Sequence, residues 1–245
     1  MGTVIAVTSG KGGTGKTSVT GGVAACLARM GRRVLALDMD VGLRNLDITL
    51  GLSDRALMDF SDVALGRCPL ARAAVDHPDL KSLSLLSAPM HLSPDVTEER
   101  VRALLDNARR SYDYILVDSP AGLGPAFQLA VCGADRVLVV ATCDASSLRD
   151  AQRTVAQLDR QPRVHLVMNR IQPKLLRKLR ATIDDAMNTA GLPLIGVVPE
   201  DPRVMLCANL GQPLTTQARR GAVQACWNIA RRLEGYSVPV MHIRP

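Results

Sequence analysis

Aromatic residues are nearly missing from this chain, with one Trp, three Tyr and two Phe in 245 residues. A core built on stacked rings is therefore excluded. Packing must rest on Val, Leu, Ile, Ala and Met, a composition that suits an α/β protein with a buried parallel sheet. Lysine is also scarce: only Lys11, Lys16, Lys81, Lys174 and Lys178 occur, so arginine carries most of the formal net charge of +7. No run of about five like charges is present, and the excess reads as a solvated arginine-rich surface. The six cysteines are widely spaced with no C-x-x-C pair, which argues against zinc and iron–sulfur sites. His77, His91, His165 and His242 stand alone and make no metal spacing. There is neither a signal peptide nor an apolar run of about 18 residues, so the chain is expected in the cytoplasm.

What is present begins with Gly10-Lys11-Gly12-Gly13-Thr14-Gly15-Lys16-Thr17. It fits the phosphate-binding pattern G-x-x-x-x-G-K-[ST] and carries an additional lysine at its second position. Val4–Thr8 before it reads as a buried strand, and Ser18–Met30 after it reads as a helix ending at Gly31. The glycines let successive N–H groups point at phosphate oxygens, and the helix start adds unpaired donors and partial positive charge. Lys16 is expected on the β- and γ-phosphates, and the Thr17 hydroxyl on Mg²⁺.

Further apolar runs at 33–37, 83–86, 114–117, 136–140, 164–168 and 195–198 alternate with helical patterns. The clearest helices are 98–110, 147–158, 174–189 and 217–234, the last reading as an ordinary packed helix with Trp227 in the core. This alternation predicts an α/β fold, a mostly parallel sheet with helices on both faces, with ligands bound beyond the carboxyl ends of the strands. No linker or repeat divides the chain, so residues 1–245 are read as one domain. Residues 235–245 form a short tail in which two prolines and few residues exclude a stable interfacial helix.

Three carboxylates stand at the strand ends where such a site needs them. Asp118 closes the fourth run and suits a Mg²⁺ partner. Asp38 closes the second and could hold a metal-bound water. Asp40, two residues further out, could orient or deprotonate an attacking water.

Together these segments resemble the MinD proteins of the MinD/ParA group, deviant Walker-A P-loop ATPases of the SIMIBI type. The resemblance rests on Thr8–Gly13, Asp38-Met39-Asp40-Val41-Gly42-Leu43-Arg44-Asn45-Leu46-Asp47 and Val117-Asp118-Ser119-Pro120-Ala121-Gly122. Ser146–Asp150 and Val198–Asp201 add to it. It covers nearly the whole chain.

The resemblance implies an ATP-dependent homodimer with Mg²⁺, in which Lys11 reaches the partner's phosphates and Asp40 orients the hydrolytic water. Thr17, Asp38 and Asp118 are the implied metal residues. Gly10–Thr17 and Ser18 are the implied phosphate contacts. Asn169 with Pro199, Glu200 and Asp201 would frame the adenine. Division-site placement is the implied role, with a MinC-like division inhibitor, a stimulating partner and a membrane cycle that would bring the cytoplasmic protein to the inner face of the cell membrane. Contact with DNA is not expected, and the tail offers no membrane-binding helix. A flagellar-number regulator of the same group and a ParA-like DNA-partitioning ATPase are the alternatives. Thr14 departs from the family's usual valine, with little consequence expected because its backbone N–H is retained.

Overall fold

The computed structural model describes residues 1–158 and 162–241. Among these residues eight strands form a single sheet: β1 (Thr3–Thr8), β2 (Val34–Asp38), β3 (Val75–Asp76), β4 (Leu83–Leu86), β5 (Tyr114–Asp118), β6 (Arg136–Ala141), β7 (Arg163–Ile171) and β8 (Leu194–Pro199). Their order is β3-β4-β2-β5-β1-β6-β7-β8. Every pairing is parallel except β3 with β4. The expected mostly parallel sheet is therefore present. The two-residue strand β3 carries no periodicity that a sequence could display.

Both faces of the sheet are dry. Val4, Ala6, Leu35, Leu37, Ile115 and Val117 pack in one core, while Ile5, Val7, Val34, Ala36 and Leu116 pack in the other. Adjacent residues of one strand point to opposite faces, so both must be apolar, and the strands read as unbroken apolar runs. Helices Lys16–Arg29 and Gly221–Leu233 cover one face. Helices Glu98–Ser111, Ala145–Ala156 and Ile183–Ala190 cover the other.

Three expectations need correction. The helical pattern over 174–189 is two helices, Pro173–Leu179 and Ile183–Ala190. Arg180 turns left-handed at φ 50°, and Thr182 starts the second helix through a capping box with Asp185. The apolar period continues across the break, so the Thr-x-x-Asp signal was the only local sign of it. The last helix begins at Gly221 rather than Gln217. Trp227, expected in the core, packs against its edge and stays partly exposed, with the Arg219 guanidinium 4.2 Å from its ring centre. Of the tail, residues 235–241 form no regular structure, while 242–245, including His242, lie outside the described residues. No described helix is long and apolar enough to cross a membrane.

One buried polar residue ties the fold to the loop after β2. His77 is 3% exposed. Its Nδ1 accepts the N–H groups of Asp79 and Leu80, both at 3.1 Å, so Nε2 carries the proton and donates to the Leu50 carbonyl at 3.1 Å. Leu50 ends the short helix Asn45–Leu50 that follows Asp40. Burial lowers the His77 pKa below its ordinary value, against the opposing pull of the Leu50 carbonyl. The unfolded chain therefore binds this proton more readily. Its contribution is full above about pH 6.5 and is lost as pH falls toward the depressed folded value. His77→Ala should cost roughly 2–4 kcal/mol at neutral pH by stranding the buried Leu50 carbonyl and Leu80 N–H and the part-buried Asp79 N–H. Denaturant midpoints of both proteins should converge on acidification; a gap independent of pH would refute the assignment.

Candidate functional site

Strand order reverses around β1, which lies between β5 and β6, and the crevice beyond its carboxyl end is the expected ligand position. Register places the acidic residues there. Asp118, the last residue of β5, pairs with Val7 of β1 on one side and with Asp38 of β2 on the other. The loop Gly10–Thr17 leaves β1 at the same level and feeds helix Lys16–Arg29. Gly13 (φ 78°) and Gly15 (φ 88°) take left-handed conformations that a side chain would strain. A Cβ on Gly15 would also strike the Asn169 amide.

A cavity of about 710 Å³ opens in front of this loop, a size suited to a nucleotide. Gly12, Gly13, Gly15, Lys16, Thr17 and Ser18 line its floor, with Asp40 at one side. Asn169, Pro199, Glu200 and Asp201 line the opposite wall. A second cavity of about 580 Å³ lies at the amino ends of the strands. Three of its four arginines, Arg32, Arg33 and Arg109, are already paired with Glu234, Asp113 and Asp135. Three helix carboxyl ends converge on it, which disfavours an anion.

Lys16 is 7% exposed and donates from Nζ to the Ser9 hydroxyl at 3.1 Å. Burial lowers its pKa, and the charges of Asp118 and Asp40 pull it back up. Asp118 is fully buried. Burial first and the Asp38 charge second push it to about 7, against the Thr17 and Thr20 hydroxyls and Lys16. Thr20 bridges helix and strand, donating to Asp118 Oδ1 at 3.0 Å. Asp38 is raised to about 6, by burial foremost. Its two oxygens accept the backbone N–H groups of Asp40 (2.9 Å) and Leu46 (3.1 Å). Asp38 thus shapes the turn that carries Asp40 into the cavity. The Asp40 pKa is also raised by burial and lowered by Lys16.

These residues fit a small hard cation. A hydroxyl hydrogen-bonded to a buried carboxylate, with a second carboxylate beside it, offers oxygen donors and two negative groups that share the single charge of Lys16. Among the described residues no group of three or more His, Cys, Asp or Glu could hold a metal alone. That suits Mg²⁺, which keeps waters and takes phosphate oxygens for much of its shell.

Lys11 stands outside the cavity lining. Its ammonium donates to Asp144 Oδ1 at 2.8 Å and the Ser146 hydroxyl at 2.9 Å. Burial opposes the Asp144 carboxylate, yet hydrogen bonds from Lys11, Ser146, Thr142 and the Ser147 N–H outweigh it and hold its carboxyl well below the usual range. Gly10 lets this contact exist. A Cβ there would lie 2.5 Å from that of Asp150, on helix Ala145–Ala156.

On the far wall, Asn169 donates to the Thr14 carbonyl at 2.7 Å and braces the loop. The Thr14 hydroxyl is buried without a partner, so its backbone alone serves the loop. Both Asp201 oxygens are engaged: Oδ1 accepts the Arg203 N–H, and Oδ2 accepts the Ala222 N–H at 2.9 Å. Arg170, absent from the sequence reading, adopts φ 55° and donates to Glu200 (2.8 Å) and the Gly13 carbonyl (3.3 Å). It thereby joins the two walls. Ser9, Thr20 and Asp144 were also missed. Only Asp144 carried a local signal, as an N-cap three residues before Ser147.

Comparison with known proteins places this geometry. The family described as "CobQ/CobB/MinD/ParA nucleotide binding domain" matches residues 5–214. The septum site-determining protein MinD of Synechocystis is 36% identical, over 98% of this chain and 92% of that protein. MinD of Bacillus subtilis is also 36% identical, with the same coverage. Among solved structures, the MinC:MinD cell division complex of Aquifex aeolicus superposes with a TM-score of 0.90 at 37% identity, covering 98% of both chains. The MinD of Pyrococcus horikoshii complexed with Mg-ADP gives 0.83 at 27% identity, covering 96% of both.

Proposed function

The chain belongs to the MinD/ParA nucleotide-binding family as a MinD-type division-site ATPase, and from that premise we propose that its cavity is a Mg²⁺-dependent ATP site completed by a second copy of the chain. The observation that carries this reading is the convergence of Lys16, Thr17, Asp40 and Asp118 on the loop at the strand reversal.

In this reading the backbone N–H groups of Gly10–Thr17, with Ser18, hold the phosphates, and Lys16 neutralises the β- and γ-oxygens. Thr17 and Asp118 would hold Mg²⁺, with Asp38 at the edge of its shell, and the bound cation would supply neutralisation of charge on the phosphate oxygens. Asp40 orients the water that attacks the γ-phosphorus, and the bond to the β-phosphate oxygen breaks to release ADP. Asn169 and Pro199–Asp201 frame the adenine.

Lys11 leaves Asp144 to reach the partner's phosphates. It supplies positive charge in trans, as an arginine finger does. The Aquifex MinD was solved with MinC, and by that likeness a MinC-like division inhibitor docks on the ATP-bound dimer. A separate partner stimulates turnover.

Size-exclusion chromatography tests the reading. The protein should run as a dimer with ATP and as a monomer with ADP. Lys11→Ala should weaken the dimer roughly 10–100-fold, the value of one charged contact. Normal ATP-dependent dimerisation of that variant would remove Lys11 from this role.

A further inference from the structure

The nucleotide chemistry leaves one surface element unused. Helix Pro173–Leu179 follows β7 directly and contains no buried residue. Only Leu176 of its three leucines packs toward the core. Leu175 and Leu179 are 39% and 53% exposed. Their four-residue spacing puts them on one face of the helix, neighbours one turn apart. From Arg170 to Ala181 the chain holds five basic residues and no acidic one. Arg170 is paired with Glu200. Lys174, Arg177, Lys178 and Arg180 are exposed and form no ion pair among the described residues. Two of the five lysines of the whole chain are among them.

The acidic residues nearest in sequence are Asp184 and Asp185, in the first turn of the next helix, and the Asp185 carboxylate is already bonded to Thr182. They reduce the local excess of positive charge without reversing it. Leu175 and Leu179 stand beside four unpaired cations, so apolar surface and positive charge coincide on this one element. A surface that is apolar in its interior and anionic at its boundary satisfies both at once. A nucleic acid would take the cations and leave the leucines exposed.

We propose that Pro173–Leu179, with Arg180, is a docking element for an anionic lipid surface. Leu175 and Leu179 enter the headgroup boundary, and Lys174, Arg177, Lys178 and Arg180 lie against lipid phosphates. The inference goes beyond the ATP-site reading and does not depend on it. None of these residues lines the nucleotide cavity.

Co-sedimentation of the full chain with vesicles tests it. Phosphatidylglycerol–phosphatidylcholine vesicles should bind the protein, and pure phosphatidylcholine vesicles should not. Each basic residue near such a surface contributes roughly fivefold. Lys174→Gln/Lys178→Gln should therefore weaken partitioning about 25-fold, and Leu175→Ser/Leu179→Ser about tenfold or more. All four positions are exposed, so melting temperature and ATP turnover in solution should stay unchanged, separating this result from failure of the nucleotide reading. Arg177→Gln alone, with a loss of about fivefold, serves if a double variant misfolds. Absence of binding to either vesicle would overturn the proposal. So would equal binding to both, or undiminished binding by the leucine variant. Duplex DNA that is bound by the leucine variant as well as by the wild type, and that displaces the vesicles, would assign the cations to nucleic acid instead.

Discussion

Lys16→Ala is expected to lose ATP binding by at least about a hundredfold, and turnover with it. The ammonium is almost enclosed, with Ser9 as its hydrogen-bond partner and Asp118 and Asp40 as the charges that support it. Removing it leaves the Asp118 and Asp40 carboxylates beside the phosphates without the ammonium whose charge they support. Charged hydrogen bonds contribute about 1.5–3 kcal/mol each, and a lysine on both the β- and γ-phosphates makes more than one. The enclosed setting strengthens each of them further. Calorimetric titration with ATP measures the loss directly. Binding within about fivefold of the wild type would mean that the backbone cradle alone carries the affinity, and that Lys16 is not the phosphate cation.

Asp40→Ala should separate binding from chemistry. The backbone N–H of residue 40 bonds Asp38 at 2.9 Å whatever side chain it carries, so the turn keeps its shape. What disappears is a half-buried carboxylate on the cavity wall. One negative charge fewer beside the phosphates leaves ATP affinity equal or improved, and the ATP-dependent dimer should persist. Hydrolysis should fall by about 10²–10⁴, the usual contribution of a positioned general base. Phosphate release from the isolated dimer measures this. Undiminished turnover would exclude Asp40 as the residue that orients water.

Much of this site was legible because its parts are local in sequence. The glycine spacing of the loop, the lysine inside it and an aspartate closing two of the apolar strands are read within short windows. The sheet converts that local order into proximity by register: Asp38, Asp118 and Val7 fall in one row. The strands were legible for a related reason, since residues buried on both faces leave an apolar run. What stayed hidden depends on distant partners. Lys11 meets Asp144 across 133 positions, and Asn169 meets Thr14 across 155. Nothing in the Arg170 neighbourhood announces a left-handed arginine. The helix break at Arg180 was masked because its apolar spacing survives the interruption. Trp227 misled because its ring is large and apolar, whereas Arg219 covers it from outside.

Gly10 has a mechanical consequence. The position where its side chain would stand is already occupied by the backbone and Cβ of Asp150. Loop and helix Ala145–Ala156 therefore approach as closely as a position without a side chain allows. A methyl group at position 10 would have to part them, and the Lys11–Asp144 contact at the start of that helix would shift with them.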